Sequence, residues 1–380
     1  MDMVKTGGSR VASIDALRAI TMMLMLFVND IPGLKGVPHW LFHARADEDM
    51  LGFSDTIFPA FLFCVGMSVP FAIEQRLRKG DSPLRVLAHI LWRGVALIVM
   101  GVFTYNLERD LSCISYLWFS LLMIAGFFLI WTDYRHTILS DKPVLTNLLK
   151  ALGISILVGM MMWCHYCGEC FETGWWGILG LIGWSYLVTS LIYLVCRRPV
   201  NKTVMVAGLA ILTAVLWFVP NAWSGHALCI AGLLASLLMR YFKQKVAHIQ
   251  LIIVCWAIGF VMLVAGIVSH PYWIISKIQG TPTWVFFCLA IYFPLASLLY
   301  WLMDVKGHTA WTWLIAPAGT ATLTCYLLPY VWYPVSDALG VCLPEGWWYG
   351  VTGIILSLAY SLIVIQVTRL LMRLGLIVRL

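Results

Sequence analysis

Apolar runs of about 20 residues follow one another along nearly the whole chain, divided by short polar punctuations. They fall at roughly 11–29, 54–76, 84–106, 112–132, 143–164, 174–196, 203–219, 225–242, 250–268, 282–304, 310–332 and 348–372. By the 20-residue criterion that is about twelve spans; ten or eleven is the alternative, because the runs near 203–219 and 348–372 can also tilt or re-enter. The ten-residue alternating segments of a membrane β-barrel are absent. The pattern predicts an all-α, polytopic integral membrane protein forming a single domain over 1–380. No linker, low-complexity tract or internal repeat of the transporter type interrupts it. The first run leads into Asn29 and Asp30 and not into a small-residue cleavage site, so no cleavable signal is expected.

Composition agrees: 61% of residues are hydrophobic and 11% charged, with a mean hydropathy of +0.88, far from soluble averages. The net charge of +7 changes the picture only through its placement. With the N-terminus inside, only Lys35, Arg45, Arg109 and Lys277 of the 25 Lys and Arg fall on the outer side. That asymmetry obeys the positive-inside rule, puts both termini in the cytoplasm and removes the case for nucleic acid as a partner. Lipid is the surrounding phase.

Most cysteines sit singly within spans as small apolar fillers. CHYCGEC, with Cys164, His165, Cys167 and Cys170, has metal-like spacing. It lies on the outer side without a second half-site, where a disulfide or plain thiols are the stronger reading, so no metal is expected. The outer segments are rich in Trp, among them Trp40, Trp284 and Trp348. These rings fit an interfacial aromatic belt, with a platform for the apolar face of a sugar as the second reading.

Ionisable groups inside spans are costly and point to function. In SIDALRAITMMLMLFVND, Asp15 and Arg18 share one helical face near the inner surface. Arg18 and Asn29 are about 16 Å apart along the helix, a gap that a ligand with a charged head and a reactive tip would bridge. Arg93 is a second cation within a span, suited to snorkelling or to a phosphate. Asp55 opens the second span with Ser54, where capping is one reading and catalysis another. His39 and His43 lie in the outer loop of 30–55; imidazole is the side chain best suited to trade protons or act as nucleophile near neutral pH. Asp47, Glu48 and Asp49 read as a solvated acidic run, His270 as an outer-loop residue, and His226 heads a later span.

RVASIDALRAITMMLMLFVND, then WLFHA, then GFSDTIFPAFLFCVGMSV together resemble the transmembrane N-acetyltransferase family of heparan-α-glucosaminide N-acetyltransferase and its bacterial homologues, often labelled N-acetylglucosamine-related transporters. Ser13, Asp15, Arg18, Val28, Asn29, His43, Asp55, Phe58 and Pro59 carry the match, and WWGILGLIGW and LLYWLMDVKG look like later family segments. Ala19 departs from the family's Gly after the Arg, and SCISYLWFSLLMIAG lacks the basic pattern of the lysosomal branch. The resemblance implies transfer of acetyl from cytoplasmic acetyl-CoA to the amino group of a glucosamine-type sugar on the outer face of a bacterial inner membrane, by a homodimer. It assigns catalysis to His43, as acetylated nucleophile or general base, with Asn29 and Asp55 as helpers. Arg18, Arg93 and Lys306, with Asp15, become candidate cofactor-binding residues, and Trp40, His226 and Asp30 candidate substrate contacts. A sugar permease and an envelope-glycan O-acetyltransferase are the alternatives.

Overall fold

The computed structural model describes residues 11–109, 112–137, 139–173, 177–197, 223–341 and 344–380, with 206–209, 211–213 and 215. Among the described residues every regular element is helical; backbone pairing of the β type is confined to two isolated bridges, Lys35 with Tyr349 and Thr132 with Val378. The long helices are α1 (Ala12–Asp30), α2 (Ile57–Arg78), α3 (Pro83–Glu108), α4 (Tyr116–Trp131), α5 (Pro143–Tyr166), α6 (Ile178–Cys196), α7 (Ser224–Gln244), α8 (His248–Ser269) and α9 (Pro282–Tyr300). The short α10 (Ala316–Thr320), α11 (Thr322–Leu327) and α12 (Pro329–Ala338) follow, then α13 (Gly350–Arg373). Among the described residues, nine helices are long and apolar enough to cross a membrane, and α4 is a shorter apolar helix. The protein is therefore all-α and multi-pass.

One predicted span is not a continuous helix. The stretch 310–332 breaks into a 3-10 turn, α10, α11 and the start of α12. Pro317 and Pro329 each sit in the first turn of a short helix, where the missing N–H costs nothing, but neither can continue a helix arriving from upstream. The predicted run at 203–219 lies largely outside the described residues, as do Trp175 and Trp176.

The chain packs as two compact units, each assembled from separate segments: residues 1–17, 43–94 and 184–311 in the first, and 18–42, 95–183 and 312–380 in the second. In the first unit α2 and α7 touch backbone to backbone. A Cβ on Gly66 would lie 1.8 Å from the Cys229 carbonyl oxygen, and one on Gly232 only 1.9 Å from that of Phe63, so glycine is required on both helices. Phe63 then stacks edge-on against Phe293 of α9, ring centres 5.5 Å apart. A turn at Ser54–Thr56 feeds α2 and is tied to α9 twice: Trp284 Nε1 donates to the Asp55 carbonyl at 3.2 Å, and the Tyr292 hydroxyl donates to that of Thr56. Trp284 is thus a core residue, 3% exposed, and not part of an interfacial belt. At the other end of this unit the Asp304 carboxylate accepts the Ala12 and Ser13 amides at 2.9 and 3.0 Å, satisfying two of the four orphan donors that open α1.

In the second unit α4 and α5 approach through Gly126 and Gly153. The break after α10 leaves carbonyls without helical partners, and Arg18 donates to one of them, Gly319, at 3.1 Å.

Candidate functional site

In the first unit, the chain leaving His43 folds back on the start of α2. Asp55 is 1% exposed, and its two oxygens divide between two partners. Oδ1 lies 2.7 Å from His43 Nδ1, and Oδ2 accepts the Ala44 amide at 2.9 Å. The carboxylate therefore faces the loop and does not cap α2. Hydrogen-bond logic assigns the Nδ1 proton to the bond with Asp55, which leaves Nε2 with its lone pair as the reactive nitrogen. The His43 side chain is 38% exposed, so the ring is held from one side and open on another.

Lys277 completes the cluster. Its Nζ is 4.0 Å from Asp55 Oδ1 and 3.3 Å from His43 Nδ1. Burial pushes this ammonium below the ordinary lysine range, with the Asp55 charge pulling the other way. A buried carboxylate would be costly alone; here it has an imidazole, an amide and a cation.

The segment carrying Lys277 is itself fastened to the loop. Asp49 Oδ2 is 2.7 Å from His270 Nε2, and Asp49 Oδ1 accepts the Ile275 amide at 2.8 Å. Gln279 Nε2 donates to the Ala46 carbonyl at 2.7 Å. The Ile275 amide, opposed by partial burial and helped by His270, holds the Asp49 carboxyl below the usual range. Asp49 is thus a latch and not part of a solvated run, and His270 is its partner. Asp47 does match expectation: it pairs with Arg45 at 3.3 Å with both side chains well exposed, an arrangement worth little.

The second unit holds a cleft of about 490 Å³ lined by Asn29, Asp30, Pro32, Gly33, Lys35, Tyr333 and Trp348. Asn29 and Asp30 are the last two residues of α1, and Asp30 Oδ1 accepts the Tyr333 hydroxyl at 2.7 Å. Its rim is braced. The Lys35 amide donates to the Trp348 carbonyl at 2.9 Å, and the Gly350 amide to that of Lys35 at 2.8 Å. Gly36 has φ +69 and lies under the Tyr349 ring, where a Cβ would come within 2.5 Å of it. A carboxylate, an amide, a lysine and aromatic faces in one cleft suit a polar, ring-shaped ligand.

The remaining predicted residues are placed as follows. In the first unit, Asp15 is half-buried in the first turn of α1, where its charge favours the helix dipole. Arg93 lies over the Tyr186 ring, 4.8 Å from its centre, and its Nε is buried without a hydrogen-bond partner. Lys306 is exposed, 5.2 Å from the Trp301 ring centre. His226 is buried beside Trp223, its Nδ1 also without a partner. In the second unit, Arg18 spends one N–H on Gly319 and Trp40 is exposed in a 3-10 turn at His39–Leu41. The structure brings the candidates His43 and Asp55 into contact; Trp348 was named from the sequence only as one of the outer rings, and Lys277 and Tyr333 were not among the candidates. A single lysine in an otherwise uncharged outer segment, SHPYWIISKIQG, was the available signal for Lys277.

The family model described as "Domain of unknown function (DUF5009)" matches residues 10–217 of this chain. Heparan-alpha-glucosaminide N-acetyltransferase of Homo sapiens is 34% identical over 107 residues, and that of Mus musculus 30% identical over 112. The aligned stretches cover 28% and 30% of this chain, but only 15% and 16% of the curated relatives.

Proposed function

Because the chain belongs to the DUF5009 family and shares its aligned stretch with two enzymes named as glucosaminide N-acetyltransferases, we propose that it is a membrane acetyltransferase that moves acetyl from cytoplasmic acetyl-CoA to the amino group of a glucosamine-type sugar on the outer side. One observation carries the reading: the 2.7 Å contact of His43 Nδ1 with the buried Asp55 carboxylate. That contact orients an imidazole as a base or nucleophile is oriented in acyl transfer.

In this reading His43 Nε2 takes the proton that an amino sugar must lose before its nitrogen can attack the thioester, or is itself acetylated first. Asp55 stabilises the imidazolium formed either way. Asn29 is the candidate for a hydrogen bond to the oxyanion developing on the acetyl carbonyl, or for orienting the imidazole. Asp30 receives the sugar's ammonium and Trp348 packs on its ring, with Trp40 and His226 as further candidate contacts. Arg18, Arg93 and Lys306, in that order, are the candidate phosphate contacts for CoA, with Asp15 beside the first. The thioester supplies the acyl group and CoA leaves as the thiol, so the amide product is balanced by one released proton. No metal enters the chemistry.

The same reading places both chain ends on the cytoplasmic face, with about twelve crossings once 203–219 and the broken stretch after 310 are counted. It makes the protein a homodimer in a bacterial inner membrane, and one acyltransferase domain over 1–380 with its catalytic loop at 30–55.

Purified protein given radiolabelled acetyl-CoA and glucosamine tests the reading. N-acetylated sugar is expected from the wild type and not from H43A. Retained N-acetylation by H43A removes the mechanism; a labile O-acetyl product points to the glycan O-acetyltransferase, and uptake into vesicles without acetylation to a permease. Trapping acetyl on His43 in a single turnover separates the covalent route from direct transfer.

A further inference from the structure

The polar end where α3 leaves the membrane is laced to the end of α5 within the second unit. Asn106 Nδ2 donates to the Glu172 carbonyl at 2.6 Å, and Arg109 pairs with the Glu172 carboxylate at 2.9 Å and donates to the Cys170 carbonyl at 3.0 Å. The Ser112 amide donates to Glu169 at 2.9 Å, and Trp163 Nε1 donates to the Cys113 carbonyl at 3.1 Å. At the centre of this lacing, Cys113 Sγ lies 3.2 Å from Cys164 Sγ. Cys164 is fully buried, whereas Cys167 and Cys170 are exposed.

Bond formation needs the sulfurs to approach by on the order of 1 Å, a distance within reach of side-chain rotation on a backbone already held in place. The geometry also separates Cys164 from the other two cysteines of CHYCGEC, because the helix carries it inward while the turn after Tyr166 carries them out.

We propose that Cys113 and Cys164 form a structural disulfide that staples the outer end of α3 to that of α5. This inference goes beyond the acetyltransferase reading and rests only on its membrane orientation. From the basic loop after α2, one crossing by α3 brings Cys113 to the outer, oxidising side, and two further crossings by α4 and α5 bring Cys164 there. The oxidant is a protein disulfide of that compartment. One cysteine, as thiolate, attacks it and releases one of its thiolates; the second cysteine then attacks the mixed disulfide. The Cys113–Cys164 bond forms, two protons are lost, and the oxidant leaves as its dithiol carrying two electrons. Burial and the neighbouring Cys164 raise the Cys113 thiol to about 12, which disfavours its thiolate once the pair is enclosed.

The test is acid quenching of membranes, alkylation of the denatured protein without reductant, digestion and mass spectrometry. A cross-linked peptide pair containing Cys113 and Cys164, lost on reduction, is expected. Free Cys113 and Cys164, or Cys164 paired with Cys167 or Cys170, overturns the proposal. A membrane-impermeant maleimide applied to intact cells reports separately whether exposed Cys167 faces outward, so a wrong orientation is told apart from a wrong pair, and neither readout depends on acetyl transfer. As a second measure, C113S should melt roughly 5–10 °C below the unreduced wild type and together with the reduced wild type. Identical melting of C113S and the unreduced wild type would also overturn it.

Discussion

His43 Nδ1 and Asp55 Oδ1 stand 2.7 Å apart although twelve residues and the entry into a helix separate them. The pairing rests on contacts that hold Asp55 independently of the loop. The turn at Ser54–Thr56 is bonded to Trp284 and Tyr292 of α9, and the loop brings His43 onto a carboxylate that cannot follow it. The imidazole is thereby positioned by the core and not by the loop's own preferences.

This arrangement makes Asp55→Asn more informative than alanine. The amide keeps the size of the carboxylate, but its NH2 can donate to Nδ1 and so stabilise the tautomer with the proton on Nε2. Acetyl transfer should fall by about 10²–10⁴ in kcat with little change in KM, because the lost interaction is strongest when the imidazole carries charge. An Asp55→Asn enzyme with wild-type kcat would show that Asp55 has no part in catalysis.

Lys277 predicts a pH signature in stability. Its pKa is lower in the folded protein than in the unfolded chain. Between those two values the unfolded state binds more protons, so stability rises with pH across that window and levels off above about 10.4. The melting temperature of the wild type, measured relative to Lys277→Met, should therefore climb between neutral pH and pH 10. A flat or falling difference contradicts the assignment.

The Asp49 latch has the same sign of pH dependence, in an acidic window. Its carboxyl is held below the ordinary value, so its contribution is complete above about pH 3.9 and is lost as pH falls through the folded value. Asp49→Ala should loosen the 43–55 loop at neutral pH at a cost of about 1 kcal/mol or less, since the pair is partly exposed. Limited proteolysis is the readout: faster cleavage within the loop is expected, and the wild type should approach the same rate only below pH 4.

Trp348 tests the cleft in the second unit. If the ring packs on the acceptor sugar, Trp348→Ala should raise KM for the amino sugar by about tenfold while leaving kcat and KM for acetyl-CoA nearly unchanged. An equal loss in both substrates would instead indicate a damaged fold.

Much of this was legible in the sequence because membrane burial imposes long apolar runs and makes each polar residue inside them conspicuous. The positions of α1 to α3 and the prominence of Asn29 and Asp55 at helix ends followed from that, whereas the choice of His43 over His39 came from the family resemblance alone. What escaped depended on distant partners. Asp49 looked like one of three solvated acids until His270 and the Ile275 amide, more than 220 residues away, gave it a purpose. Trp284 read as an interfacial ring because hydropathy does not report which face of α9 meets Asp55. The run at 310–332 has the hydropathy of one span, but Pro317 and Pro329 divide it into short helices.

The α2–α7 crossing gives a prediction about the scaffold. Gly66 faces the Cys229 carbonyl and Gly232 that of Phe63, both with space for hydrogen alone. These are backbone oxygens, so an added methyl cannot be accommodated by turning a side chain; the helices must separate. Separation would pull Phe63 from Phe293 and shift the turn that presents Asp55 to His43. Gly232→Ala should therefore cost more stability than the roughly 1 kcal/mol by which alanine ordinarily favours a helix over glycine, reversing the usual sign. It should also abolish acetyl transfer in whatever protein still folds. Gly159→Ala is the control: its Cβ would meet nothing within 4 Å, so on α5 the same change should leave melting unchanged or raise it. Thermal melting of both variants in one detergent decides the matter, and equal behaviour of the two would refute the close crossing.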